Sequence, residues 1–276
     1  MTSLLSFEFF PPKTDEQKQQ LDATASRLKA LKPHYVSVTF GAGGSTLSYT
    51  PETVRRLRTE FGLDAAPHLS CMGGTRDEIG HLLKLYEAMG VSRIVALRGD
   101  MPSGMAGFGE FRYANELVAF IRERSGDKFH LEVACYPEAH PQAADMQSDL
   151  LHFQRKVQAG ADGAITQYFF NADAYFRFVD EARAMGITVP ITPGIMPIAN
   201  FMQLKRFSDI CGAEIPRWIE RRMRGFGDDA DAIREFGADA VAKLCRDLLA
   251  GGAPGLHFYT LNRAKPTLAV IDRLGL

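Results

Sequence analysis

Short apolar runs alternate with longer stretches of helical periodicity along this chain. Leu4–Phe10, Tyr35–Phe40, Pro67–Cys71, Arg93–Leu97, Leu131–Cys135, Ala164–Tyr168, Pro190–Ile195 and Leu256–Thr260 read as strands. Each is rich in β-branched or aromatic residues, or is short and almost wholly apolar, as a strand buried on both faces should be. Between them, Leu21, Leu28 and Leu31 fall on one helical face against Lys18, Lys29 and Lys32. Ile79, Leu82, Leu83 and Tyr86 repeat the pattern, as do Leu117, Val118 and Ile121. Pro51-Glu52 and Asn171–Asp173 carry the chemistry of helix starts.

Strands alternating with helices pair in parallel, and eight is the number that closes a barrel, so the pattern predicts an α/β fold of the (β/α)8 TIM-barrel type. A doubly wound open sheet is the competing arrangement. The first three strands start roughly 31 residues apart, the length of one βα unit. The step from Ile195 to Leu256 is about twice as long and calls for a helical insertion before the last strand, placed at Pro216–Arg224 and Asp229–Leu249. No Gly-, Ser- or Pro-rich linker divides the chain, so residues 1–276 are expected to form one domain.

Composition narrows the functions. The 276 residues carry a net charge of −1 at neutral pH, which gives no bulk attraction to nucleic acid or to an anionic membrane. No run of eighteen apolar residues exists, and Pro11-Pro12-Lys13 closes the N-terminal apolar run early, so the expected location is cytoplasmic. Cys71, Cys135, Cys211 and Cys245 lie far apart without a Cys-x-x-Cys pair, and no His-Glu-x-x-His is present, so no metal site is expected. Gly41-Ala42-Gly43-Gly44 lacks the third glycine of a Rossmann fingerprint, which leaves a phosphate-type nest or a plain loop.

In a barrel the chemistry gathers where the strands end. Strand one contains Glu8 between Phe7 and Phe9; strand two ends in Thr39; strand three carries His68; strand four runs into Arg98-Gly99-Asp100. Strand five leads to Tyr136 and His140, strand six contains Gln167, and strand eight carries His257 and Tyr259 before Asn262-Arg263. A glutamate among phenylalanines is either a core carboxylate paired with Arg or Lys, or an acid whose apolar setting favours the proton-carrying form. His68 reads equally as a core histidine, Gln167 as a strand cap, and Arg155-Lys156 as either a solvated helix face or a phosphate grip.

Seven blocks, in order through the chain, resemble the signature motifs of the bacterial methylenetetrahydrofolate reductase family. They are Ser6–Lys13 (SFEFFPPK), Val38–Thr46 (VTFGAGGST), Ala66–Leu69 (APHL), Ala96–Asp100 (ALRGD), Tyr136–Pro141 (YPEAHP), Ala164–Gln167 (AITQ) and His257–Arg263 (HFYTLNR). The resemblance implies a non-covalently bound FAD, with NADH or NADPH and methylenetetrahydrofolate using one flavin face in turn. It implies flavin contacts at Thr39, His68, Leu97, Arg98, Gly99, Asp100, Tyr113, Ala114, Tyr136, His140, Asp149, Arg155, Lys156 and Tyr259. It implies substrate contacts at Glu8, Gln167, Gln203, Phe207 and Arg263, with Glu8 as the acid and Asp100 stabilising a cation and tuning the flavin. Three positions depart from the pattern: His152 where asparagine is expected in some relatives, Gln154 where lysine is common, and Cys135 where alanine or glycine is usual. A homo-oligomer is also implied. So is the lack of the eukaryotic members' C-terminal regulatory domain, and hence no inhibition by S-adenosylmethionine. The alternatives are another FAD barrel oxidoreductase such as a proline dehydrogenase, a methanopterin reductase, a flavin-free aldolase-type barrel, or a flavin-free binding protein.

Overall fold

A computed structural model describes residues 4–40, 49–71, 74–99 and 109–276. Asp100 and the glycine cluster at 41–46 lie outside them.

The strands are β1 (Leu4–Phe9), β2 (Tyr35–Val38), β3 (Ala65–Ser70), β4 (Arg93–Leu97), β5 (His130–Cys135), β6 (Gly163–Thr166), β7 (Ile191–Thr192), β8 (Gly194–Ile195) and β9 (Gly255–Tyr259). They form one parallel sheet in the order β7-β6-β5-β4-β3-β2-β1-β9-β8. β7 and β8 are the two halves of the expected strand Pro190–Ile195, interrupted at Pro193. β7 pairs with β6 and β8 with β9, so the interrupted strand joins the two ends of the sheet and the barrel closes. The break follows from proline chemistry: Pro193 has no N–H to give to a ladder, while its carbonyl accepts the N–H of His257 at 3.0 Å.

Helices α1 (Asp15–Lys29), α2 (Tyr49–Thr59), α3 (Arg76–Ala88), α4 (Ala114–Ser125), α5 (Met146–Gln158) and α6 (Ala172–Ala184) alternate with the strands. Three further helices, α7 (Phe201–Cys211), α8 (Arg217–Gly225) and α9 (Ala230–Ala250), fill the long step before β9, and α10 (Ala264–Leu274) follows it. The expected insertion is present at α8 and α9, and α7 precedes it. Side-chain caps set several starts: Thr14 accepts from Gln17 N, Thr75 and Glu78 form a reciprocal capping box, and Asn200 accepts from Gln203 N.

The apolar core lies between sheet and helices, where Phe7, Phe9, Val36 and Val38 meet Leu21, Leu28, Val54 and Leu57. Alternate residues face the barrel axis, where a second, smaller cluster of Tyr35, Ala66, Val95 and Ile165 sits. Polar residues lie above and below it. At its N-terminal end Arg93 bonds Glu132 (2.5 Å) and lies 4.5 Å over the Tyr35 ring, while His130 Nε2 approaches Glu132 at 3.1 Å. Glu132 and Tyr35 are buried, so this ion pair closes the floor of the barrel.

Gly194 stands where β8 meets the rest of the barrel, its N–H donating to Thr166 Oγ1 at 2.9 Å. A Cβ there would strike the Thr166 carbonyl oxygen and the Tyr259 ring. Gly194→Ala is therefore expected to destabilise the fold by about 1–3 kcal/mol, read from the midpoint of urea unfolding.

Candidate active site

The site is built on the C-terminal ends of β1, β3 and β9. Glu8 Oε2 lies 3.5 Å from His68 Nε2 and 3.9 Å from His257 Nε2. β2 separates β1 from β3 in the sheet, so the approach of Glu8 to His68 crosses the barrel interior. Register enforces this inward direction: Glu8 pairs with Ser37 on β2 and Tyr259 on β9, while its neighbours Phe7 and Phe9 pack outward. A slip of one residue would put the carboxylate among the helices.

Hydrogen bonds hold the surroundings more firmly than they hold the carboxylate. Ser6 Oγ lies 2.7 Å from His257 Nδ1, and the Thr260 hydroxyl donates to the Glu8 carbonyl at 2.6 Å. The Tyr259 hydroxyl donates to Thr166 O at 2.7 Å, and burial pushes that phenol far above its ordinary pKa, so it serves as a fixed donor. Among the described residues, Ser37 Oγ, Thr39 Oγ1, His68 Nε2 and His257 Nε2 are buried without a hydrogen-bond partner. Burial pushes the His68 imidazole down to about 4, against the opposing pull of Glu8, with His257 adding to the depression. His68 is neutral at neutral pH.

A cleft opens beside this cluster, lined by Gln203, Phe207, Tyr259 and Arg263 with Met196 and Leu204. Gln203 and Phe207 are four residues apart on α7 and share a face. The helix is fixed from behind by the hydroxyls of Ser208 and Tyr168, 3.1 Å apart. Arg263 is exposed and starts α10, its N–H donating to Thr260 O at 2.9 Å. Tyr259 belongs to both the cleft and the acid cluster, so the two form one site. Gln167 follows β6, its N–H donating to Cys135 O at 2.8 Å and its side-chain oxygen accepting from Tyr168 N at 3.0 Å.

The remaining expected residues lie along the rim after β2, β4 and β5. Thr39 N donates to Phe9 O at 2.9 Å. Leu97 ends β4, Arg98 bonds Gln142, and Gly99 takes a φ of +80° that suits glycine. Tyr113 caps α4 ahead of Ala114 and is exposed, its ring near-parallel to that of His152 at 6.1 Å. Tyr136 and His140 meet edge to face at 4.7 Å, and the Asp149 carboxylate accepts from His140 N at 2.9 Å. Arg155 is exposed on the last turn of α5. The Lys156 ammonium donates to Ala134 O at 2.5 Å, and burial holds its pKa below the usual lysine range, so it is engaged by strand backbone. Asp100 is outside the described residues. Sequence reasoning named His257 only as a polar strand residue and did not single out Ser6, Thr166 or Thr260. Period-two spacing was the available signal, since Ser6 and His257 stand two residues before Glu8 and Tyr259 on paired strands.

Comparison with known proteins bears on this site. The family model described as methylenetetrahydrofolate reductase matches residues 1–275. The 5,10-methylenetetrahydrofolate reductase of Escherichia coli (strain K12) is 43% identical over 98% of this chain and 90% of its own length. A maize relative named methylenetetrahydrofolate reductase (NADH) 1 is 38% identical over 98% of this chain, which spans 48% of that longer protein. Among solved structures, a Clostridium thermocellum protein that binds two copies of 5-methyl-5,6,7,8-tetrahydrofolic acid superposes with a TM-score of 0.71 at 17% identity, covering 99% of this chain and 96% of its own. At that identity the likeness speaks for the barrel alone. With a family match running almost end to end and relatives of this identity over nearly all of its length, the chain belongs to the methylenetetrahydrofolate reductase family of oxidoreductases, enzymes that reduce 5,10-methylenetetrahydrofolate to 5-methyltetrahydrofolate.

Proposed function

We propose that the chain performs this reduction with hydride from NADH or NADPH carried by a bound FAD at the barrel mouth, the nucleotide and the folate using one site in turn. The observation that carries the reading is Glu8. It is a buried carboxyl at a strand end, beside two imidazoles, with no lysine or arginine partner among the described residues, and it adjoins the cleft of Gln203, Phe207 and Arg263.

The residues present suit a flavin. Thr39 Oγ1 and His68 Nε2 are buried polar atoms at the barrel mouth with no hydrogen-bond partner among the described residues, the expected environment for the polar edge of a planar heterocycle. Gly99 gives backbone without a Cβ beside Arg98, and the exposed Tyr113 and His152 rings offer an aromatic face for an adenine. FAD, when bound, supplies the ring that accepts and gives up hydride.

The chain's own residues do the rest. Methylenetetrahydrofolate accepts hydride only after its five-membered bridge opens to an iminium cation, and opening requires a proton on the departing nitrogen. Glu8 holds that proton in its carboxyl and delivers it, directly or through one water. His68, neutral and buried, does not compete for the proton, and it adds no positive charge beside the forming cation. Phe207 stacks on the substrate, Gln167 gives the pterin a donor and an acceptor, and Arg263 at the rim pairs with the tail carboxylate. Asp100, one residue past Gly99, is assigned from sequence to stabilise the cation.

The purified protein is expected to be yellow, to bleach with NADH or NADPH, and to recover colour on adding methylenetetrahydrofolate; a colourless preparation indifferent to FAD overturns the reading. Glu8→Gln is expected to slow folate reduction by about 100-fold or more while bleaching by nucleotide stays within roughly threefold. Equal losses in the two steps, measured by stopped flow, would exclude the acid role. His68 also leaves a mark on stability. In the unfolded chain its imidazole takes up a proton near 6.5, in the folded chain only near 4, so between these values the unfolded state binds the extra proton. Stability from this group is complete above pH 6.5 and falls by about 3 kcal/mol as the pH drops to 4. The slope of unfolding free energy against pH in that window should flatten in His68→Asn.

A further inference from the structure

The loop after β9 contains two consecutive non-glycine residues in the left-handed region, Leu261 at φ +51° and Asn262 at φ +55°. A left-handed backbone costs an ordinary side chain energy, and such strain persists only where the surroundings over-determine it. At Asn262 they do. Its side-chain oxygen accepts from Phe10 N at 2.9 Å, and its side-chain nitrogen donates to Phe10 O at 2.9 Å. The amide thus adds one rung to the ladder between β1 and β9, beyond the last strand pair Glu8–Tyr259. Its own N–H donates to Thr260 Oγ1 at 3.1 Å, the same hydroxyl that donates to the Glu8 carbonyl. Its carbonyl accepts from Thr24 Oγ1 at 2.8 Å and Gln20 Nε2 at 3.0 Å, both on α1. Asn262 is buried, and every polar atom it owns is engaged.

The side-chain bonds and the bond through Thr260 bear on the backbone that follows Glu8, and the bonds to Thr24 and Gln20 tie the loop to α1. The carbonyl of Glu8 is held through Thr260, and Phe10, two residues on, is held at both its N–H and its carbonyl. Among the described residues, no short hydrogen bond grips the carboxylate itself. Its direction therefore depends on the backbone beneath it. Asn262 is also followed directly by Arg263, the cation at the rim of the cleft. One residue thus joins the strand end that carries the acid to the loop that carries the expected tail contact.

We propose that Asn262 is a positioning residue for folate reduction. Its side-chain amide clamps the C-terminal end of β1, so that the Glu8 carboxyl is presented at a fixed height and direction to a substrate held by the Arg263 loop. The inference rests on the assignment of Glu8 as the acid. Asparagine suits the post because it tolerates the left-handed backbone while offering one donor and one acceptor in a plane, matching the two groups of Phe10. Aspartate would keep the acceptor and lose the donor; glycine would keep the backbone and lose both.

The test compares Asn262→Gly, Asn262→Asp and Thr260→Ala with the native chain and with Glu8→Gln. Asn262→Gly is expected to lower kcat for methylenetetrahydrofolate reduction by about tenfold or more. Reduction of a quinone acceptor by NADH, and the equilibrium Kd for methyltetrahydrofolate, are expected to stay within about twofold. Asn262→Asp should fall between glycine and asparagine. Adding Asn262→Gly to Glu8→Gln should cost little more than Glu8→Gln alone, because the amide acts through the carboxyl. A merely structural residue would lower both activities together, or lower folate turnover equally in the presence and absence of the Glu8 carboxyl, and either result overturns the proposal. Full folate turnover in Asn262→Gly overturns it as well. If Asn262→Gly does not fold, as judged by its melting curve, Thr260→Ala interrupts the same chain of bonds to Glu8 and is read by the same criteria. If instead Glu8→Gln keeps folate turnover, it is the acid assignment that fails.

Discussion

The site depends on the register of β1 between β2 and β9. Phe7 and Phe9 bury their rings against the helices, and in a strand that commitment turns Ser6 and Glu8 toward the barrel axis. Burying two phenylalanines contributes roughly 1.5–3 kcal/mol each, whereas placing a carboxylate inside costs several kcal/mol unless it is compensated. The apolar residues thus fix the position of an acid that would otherwise prefer water. Pairing of the first strand with the last, not packing of helices, brings His257 and Tyr259 beside Glu8.

Stability and chemistry sit at opposite ends of the same axis. At the floor, the Arg93 guanidinium lies 2.5 Å from Glu132 and 4.5 Å over the Tyr35 ring, and removing Arg93 would take its guanidinium from a buried carboxylate at a cost of about 3–5 kcal/mol. At the mouth, polar atoms on Ser37, Thr39, His68 and His257 have no hydrogen-bond partner among the described residues. A base held by a close ion pair lets the mouth carry polar groups that a ligand can complete, which is the usual division of labour in parallel barrels.

Much of this was legible in the chain. The alternation Phe7-Glu8-Phe9 marks a strand with a carboxyl on the face opposite its phenylalanines, and the polar residues closing each apolar run mark the mouth. The break at Pro193 is a matter of which carbonyl and N–H groups the neighbouring strands leave open, and a short apolar run does not record that. α7 was not marked out, because its apolar positions are mixed with Lys205, Arg206 and Asp209 and its place is set by contacts such as that between Tyr168 and Ser208. The bond between Ser6 and His257 joins residues 251 apart, and the clamp of Asn262 on Phe10 joins residues 252 apart. Both exist only once the first and last strands are side by side, which no local pattern specifies.

Glu8 and Glu132 show why burial alone does not make an acid functional. Both are buried to a similar degree, on strands of one sheet, facing one axis. Glu132 meets a guanidinium at 2.5 Å and an imidazole at 3.1 Å, and Gly163 leaves room for it where a Cβ would collide with its carboxylate. Such a carboxylate cannot turn without breaking the pair. Glu8 faces imidazoles at 3.5 and 3.9 Å, one of which burial keeps neutral, and no permanent cation among the described residues. Its carboxyl is thereby removed from bulk water yet free of a short ionic bond, so that exchanging its proton with a bound substrate disrupts no ion pair. Which neighbour each glutamate has, and not the strand that carries it, divides the structural carboxylate from the one that can act.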